Sequence, residues 1–192
     1  MNTFINEYEY EFEEKKSKFI SIIFHIETEE DFNNKLNDIK IKYPKATHYV
    51  YAYKLLDTAR MNDDGEPSGT GALPIMNVID KENLINIGII VVRYFGGTKL
   101  GAGGLIRAYS KAASKLIDKD RLNVLEDGYL IDIELKFSDL KDIEYIVNTT
   151  NSKIINKIFD NTIIYTIEVR KKNINSFDKY NYKIKKDTMI IS

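Results

Sequence analysis

Two segments of this 192-residue chain gather residue types that can do chemistry. The first is Arg93-Tyr94-Phe95-Gly96-Gly97-Thr98-Lys99-Leu100-Gly101-Ala102-Gly103-Gly104-Leu105-Ile106-Arg107. An apolar stretch, Leu84 to Tyr94, feeds a loop with five glycines, and the pattern predicts a helix from about Leu105 to Asp118. The first N–H groups of such a helix carry partial positive charge, and glycine lets a phosphate or another backbone come close. Residues 93–117 hold Arg93, Lys99, Arg107, Lys111 and Lys115 and no acid. Helical spacing puts Arg107, Lys111 and Lys115 on one side and Leu105, Ala108, Ala112 and Leu116 on another. The chemistry predicted here is anion binding, with a nucleic-acid backbone as the favoured ligand. The competing reading is a tight strand–helix corner with a solvated basic face. Neither known phosphate fingerprint fits. Five residues after Gly96 comes Gly101, but Ala102 follows it where a Walker loop needs lysine. Gly101-x-Gly103-Gly104 lacks the third spaced glycine of a dinucleotide loop.

The second segment is Asp63-Asp64-Gly65-Glu66-Pro67-Ser68-Gly69-Thr70. Its three carboxylates, Asp63, Asp64 and Glu66, could hold Mg²⁺ or act in acid–base work. The spacing does not fit an EF-hand, and Ser68 is not in Gly-x-Ser-x-Gly. The alternative is a turn at Asp64-Gly65 with Ser68 or Thr70 capping the next helix. His48 lies in an alternating stretch, sharing a face with Val50 and Ala52, while Tyr49, Tyr51 and Tyr53 share the other. No triad spacing surrounds it. The tyrosine row could stack on bases, although a packed sheet face is the commoner outcome.

Composition removes other chemistries. With no cysteine there is no thiolate metal site, disulfide or cysteine nucleophile. Two histidines, His25 and His48, cannot build a catalytic zinc site. The favoured reading needs no cofactor. A formal net charge of −1 confines any nucleic-acid contact to a local patch. No window approaches 18 apolar residues, so no membrane partner is expected. The acidic start of the chain, Glu7 to Glu14, is the opposite of a signal peptide, and the expected location is cytoplasmic.

These segments must be held by a scaffold. Glu7 to Glu13 alternates as a strand with one aromatic and one acidic face. A strand over 19–26, a helix begun by Thr28-x-x-Asp31 and ended by Pro44, and a strand over 47–56 follow. Residues 57–71 read as loop, with a short helix around Pro74. From Asp127 the pattern restarts. It predicts a strand over 129–137, a helix over 139–149 capped by Ser138, and strands over 153–159 and 162–169. A weak helix over 174–180 and a strand over 183–191 complete the order βαββαβ. The predicted class is α+β in two domains, about 1–124 and 125–192.

Arg93 to Gly101 and Gly103-Gly104-Leu105-Ile106-Arg107-Ala108-Tyr109 resemble the signature of the YigZ/IMPACT family. So do Lys16-Ser17-Lys18-Phe19-Ile20, Ala46-Thr47-His48 with Tyr51-Ala52-Tyr53, and Asp63 to Thr70. These stretches cover about residues 16–120. The resemblance implies a first domain similar to the second domain of ribosomal protein S5. It implies a ferredoxin-like second domain, as in the last domain of elongation factor G. That pair looks like the tip domains of the factor, which enter the ribosome, and eukaryotic relatives restrain a starvation-activated translation kinase.

The favoured function is a non-enzymatic, translation-associated factor that binds RNA or the ribosome. Its expected contacts are Arg93, Gly96, Gly97, Lys99, Gly101, Gly103, Gly104, Arg107 and Lys111. The runner-up is a nucleotide- or phosphate-ligand enzyme that uses the Gly96–Gly104 loop with Asp63, Asp64 and Glu66. A regulator acting through a protein partner is the third reading.

Overall fold

Strict alternation of aromatic and acidic residues over 8–13 decides which way each of those side chains faces. The computed structural model describes residues 1–191 and divides the chain into two units, Met1–Asn123 and Val124–Ser192. The elements of the first unit are β1 (Asn2–Thr3), β2 (Tyr8–Glu14), β3 (Ser17–His25), α1 (Glu29–Lys42), β4 (His48–Lys54), β5 (Ala59–Asn62), α2 (Ala72–Lys81), β6 (Ile87–Tyr94) and α3 (Ala102–Ser114). Its main sheet runs β2-β3-β6-β4-β5, and every neighbouring pair is antiparallel.

Both faces of this sheet are covered, so its inner strands are apolar on both sides. One face packs on α2 and α3 through Phe19, Ile23, Val50, Val91, Ile75 and Tyr109. The other packs on α1 through Ile20, Ile22, Phe24, Phe32 and Val92. Tyr49, Tyr51 and Tyr53 belong to this second face. Phe32 lies 4.8 Å from the Tyr51 ring and 4.4 Å from that of Tyr53; Tyr53 is buried and Tyr49 and Tyr51 are partly buried against the same core, so the row packs as a sheet face.

Helix α1 opens with a reciprocal capping box, Asp31 N to Thr28 Oγ1 (3.1 Å) and Thr28 N to Asp31 Oδ2 (2.9 Å). Three segments depart from the sequence reading. Residues 59–62 form edge strand β5 inside the expected loop, and all four are exposed, so they show no alternation. Helix α3 starts at Ala102, three residues early, and absorbs Gly103 and Gly104 into its first turn. Helix α2 is capped by neither Ser68 nor Thr70. Asp63 accepts from the N–H groups of Gly69 (2.8 Å), Gly71 (3.0 Å) and Ala72 (2.7 Å), and the Thr70 hydroxyl donates to Pro67 O.

The second unit holds β7 (Asn123–Leu135), α4 (Leu140–Thr149), β8 (Lys153–Phe159), β9 (Ile163–Arg170) and β10 (Tyr182–Ile191). Its strands lie in the order β10-β7-β9-β8, all antiparallel, the order of a ferredoxin-like sheet. The expected second helix is instead a 3₁₀ segment, Lys171–Phe177. Asn173, Asn175 and Ser176 are poor helix formers, the Asn173 amide donates to Thr150 O (2.9 Å), and Ile174 and Phe177 match the three-residue period. Both pack on the same core as Ile143 and Val147 of α4, so one sheet face is covered. Ser138 does not cap α4; its hydroxyl turns to Asp139 (3.1 Å). Among the described residues no helix is long and apolar enough to cross a membrane.

Burial raises the Asp63 carboxyl pKa, but the three N–H donors outweigh it and the net shift is downward. The charged form is therefore favoured in the fold. Its contribution is present above the unfolded carboxylate range and is lost as pH falls through the lowered value. Asp63→Ala is expected to cost about 1–2 kcal/mol in urea denaturation at neutral pH. The difference from wild type should shrink as the pH is taken towards 3.

Candidate functional site

The carboxylate of Glu66 is the polar centre of the first unit. Its side chain is 3% exposed, and its Oε1 accepts from Arg93 Nη1 at 2.5 Å and from the Tyr109 hydroxyl at 2.8 Å. Arg93 also donates through Nη2 to Ser17 Oγ (3.3 Å), and the same hydroxyl accepts from Gly96 N (3.2 Å). Its guanidinium lies over Phe19 at 5.4 Å and Phe95 at 5.6 Å. Among the described residues its Nε has no hydrogen-bond partner. Burial, followed by the Glu66 charge, pushes the Tyr109 hydroxyl pKa far up, so Tyr109 stays a donor. His48 Nδ1 is 2.7 Å from the Asp64 carbonyl oxygen, which can only accept, so Nδ1 carries the proton. His48 Nε2 faces Glu66 Oε1 at 3.8 Å.

This network reassigns several residues. Arg93 is 4% exposed and committed to Glu66, so it is not a phosphate contact. The acids do not converge on a metal. Asp63 caps α2, Asp64 accepts from Tyr49 N (2.6 Å), and Glu66 holds Arg93 and Tyr109. Among the described residues no group of three possible ligands stands together. The acidic and glycine loops are instead joined through packed interior, from Glu66 to Arg93 to Ser17 to Gly96.

The glycines divide in the same way. A Cβ on Gly96 would stand 1.9 Å from Lys16 O, so this glycine admits the β2–β3 turn and not a ligand. A Cβ on Gly104 would meet Leu100 Cβ at 2.9 Å. Gly97 and Gly101 have φ of +82° and +73° with open space beside them. Gly101 is the N-cap of α3 and offers no side-chain cap. The N–H groups of Ala102, Gly103 and Gly104 precede the first intrahelical bond, Leu105 N to Gly101 O at 2.9 Å.

Lys99, Arg107, Lys111 and Lys115 are exposed, and none joins an ion pair among the described residues. Lys111 Nζ rests 4.3 Å from the centre of the Phe12 ring. Glu7, just before β2, and Glu9 and Glu11 within it point elsewhere. Glu7 pairs with Lys35, Glu9 with Lys42 (2.8 Å) and the Tyr43 hydroxyl (2.7 Å), and Glu11 with Lys18 (2.8 Å). Sequence reasoning missed Ser17 and Tyr109 as members of the network. No spacing rule links positions 17, 66, 93 and 109, which come from four separate segments of the chain.

A strand, a glycine loop and an uncapped basic helix, braced by a buried acid–arginine pair and followed by a ferredoxin-like unit, define a two-domain α+β protein. The Impact N-terminal domain matches residues 15–117. An IMPACT family member of Haemophilus influenzae is 30% identical over 173 residues, covering 88% of this chain and 84% of that protein. The IMPACT family member YvyE of Bacillus subtilis is 43% identical over 110 residues, 56% of this chain, and the match spans 51% of that relative's length. This chain belongs to the IMPACT family. A crystal structure of a protein described as hypothetical shares the fold, with a TM-score of 0.69 and 22% identity over 95% of both chains.

Glu66→Ala leaves Arg93 buried without its counter-charge and is expected to cost about 3–5 kcal/mol. Tyr109→Phe removes one hydrogen bond to a charged group and should cost about 1.5–3 kcal/mol. Urea unfolding of each variant measures both. Equal small losses would show that the pair does not brace the unit.

Proposed function

We propose that this protein is a translation-associated regulatory factor that binds RNA or the ribosome through the glycine loop and the exposed face of α3. The observation that carries the reading is the uncapped N-terminus of α3 beside Lys99, Arg107 and Lys111, in a segment with no acid from Arg93 to Ile117. Phosphate oxygens suit both features, since backbone N–H groups and unpaired cations each lack a protein acceptor. Membership of the IMPACT family supports a role in translation, and the family resemblance implies a domain pair like the tip of elongation factor G. The enzyme reading loses its metal ligands, because Asp63, Asp64 and Glu66 each have other partners.

Three phosphate contacts predict a slope of about −2 for the logarithm of affinity against the logarithm of salt concentration on single strands. Arg107→Ala and Lys111→Ala should each flatten that slope by about 0.7. Arg93 is excluded from this set. Fluorescence anisotropy with labelled RNA and ribosome co-sedimentation, both across a salt series, measure it. Binding to neither RNA nor ribosomes at low salt would end this reading.

A further inference from the structure

Strand β2 is the outer strand of its sheet, and alternation sends its two sets of side chains to opposite faces. Glu7, Glu9 and Glu11 go to the α1 side and find cations there. Tyr8, Tyr10 and Phe12 go to the α3 side and are only half-buried. Tyr10 and Phe12 stack at 5.8 Å between ring centres, and Phe12 stacks on Phe19 at 5.1 Å, so the row is braced from below. Cations border it. Lys111 lies over Phe12, and the Arg121 guanidinium lies 4.5 Å from the centre of the Tyr8 ring. Arg121 also pairs with Asp118 at 2.9 Å. Arg107 and Lys115 stand one helical turn to either side of Lys111. Glu14, at the turn, is the acid that the same alternation leaves on this side.

From this juxtaposition we infer that the seam between α3 and β2 binds single-stranded RNA, with Tyr10 and Phe12 stacking on bases and Arg107, Lys111 and Lys115 holding phosphates. The inference rests on the RNA reading above and narrows it. A duplex offers phosphates but keeps its base faces stacked inside, so it has no use for a braced aromatic row. A single strand offers both, and each base has a face to stack. The lysine that now rests on Phe12 has a long, flexible stem. Moving its ammonium to a phosphate bares the ring for a base, so one motion makes both contacts. Charge segregation favours a polyanion on this side, because Glu7, Glu9 and Glu11 are paired on the opposite face and Glu14, at the turn, is the one β2 acid on this one. An acidic protein segment would satisfy the cations but leave the row without a stacking partner.

The test is anisotropy with a labelled oligouridylate, an RNA duplex of the same strand length, and an abasic ribose-phosphate oligomer. The expected result is that oligouridylate binds about a hundredfold more tightly than the abasic oligomer, about tenfold for each stacked base, and also outcompetes the duplex. Tyr10→Leu should lose about tenfold on oligouridylate, with the salt slope unchanged and no loss on the abasic oligomer. Phe12→Leu should behave alike. If its packing on Phe19 makes it unfold, as circular dichroism would show, Tyr10→Leu decides alone. Equal binding of duplex and single strand, equal binding of the abasic oligomer, or a neutral Tyr10→Leu would overturn the stacking inference while leaving the RNA reading standing. Displacement of oligouridylate by polyglutamate at the same charge concentration would point to an acidic protein partner and also overturn it. No binding of any RNA at low salt would overturn both.

Discussion

A carboxylate buried in the interior has to be neutralised or the fold does not tolerate it. Glu66 meets that demand with the guanidinium of Arg93 at 2.5 Å and the hydroxyl of Tyr109 at 2.8 Å, and these residues come from the end of β6 and the middle of α3. Arg93 then fixes Ser17 at the start of β3, and Ser17 fixes the first amide of the glycine loop. One ion pair therefore sets four pieces of chain against each other. Breaking a buried pair by removing one partner is far more damaging than its net strength suggests, so the arrangement acts as a constraint more than as a source of stability.

The exposed surface follows from that constraint. The base of the glycine loop is pinned, with Lys16 closing on Gly96, while its outer part at Gly97 and Gly101 turns through left-handed backbone into open space. Two helices start near this end of β6, since α2 follows the acidic loop whose Glu66 holds Arg93 and α3 follows the glycine loop that leaves β6. Asp63 brings a negative charge to the start of α2, and its two oxygens accept three N–H groups there, whereas α3 has only the backbone of Gly101 at its cap. The positive end of the α3 dipole thus has no side-chain cap. Alternation along β2 adds to the separation of charge by turning Glu7 and Glu9 towards Lys35 and Lys42 of α1 and Glu11 towards Lys18 of β3.

The fold was legible wherever periodicity was clean. Alternation gives β2 and β4, the capping box gives the start of α1, and the strand–helix–strand–strand order gives the second sheet. Edge strand β5 was hidden because all its residues are exposed, so hydrophobic patterning is silent. The early start of α3 was hidden because Gly103 and Gly104 read as loop by propensity, yet the close packing of Leu100 on Gly104 and the bond from Leu105 to Gly101 hold them helical. The acidic segment was legible as special but not in its purpose. Asp63, Asp64 and Glu66 lie close in sequence and suggest a shared ion, but local backbone turns send each to a different partner. Arg93 looked like part of a basic surface because sequence shows charge and not burial. Lys99, Arg107 and Lys111 are exposed, as helical spacing and loop placement imply.

The central claim is that the pinned glycine loop presents α3 and its cations to RNA. A titration of isotopically labelled protein with oligouridylate, followed amide by amide in solution by NMR, tests it most directly. The account predicts salt-sensitive shifts for Gly97 to Gly104 and along the Arg107–Lys115 face, while the amides of α1 stay unmoved. Shifts confined to α1 or to the second unit, with the glycine loop silent, would contradict it.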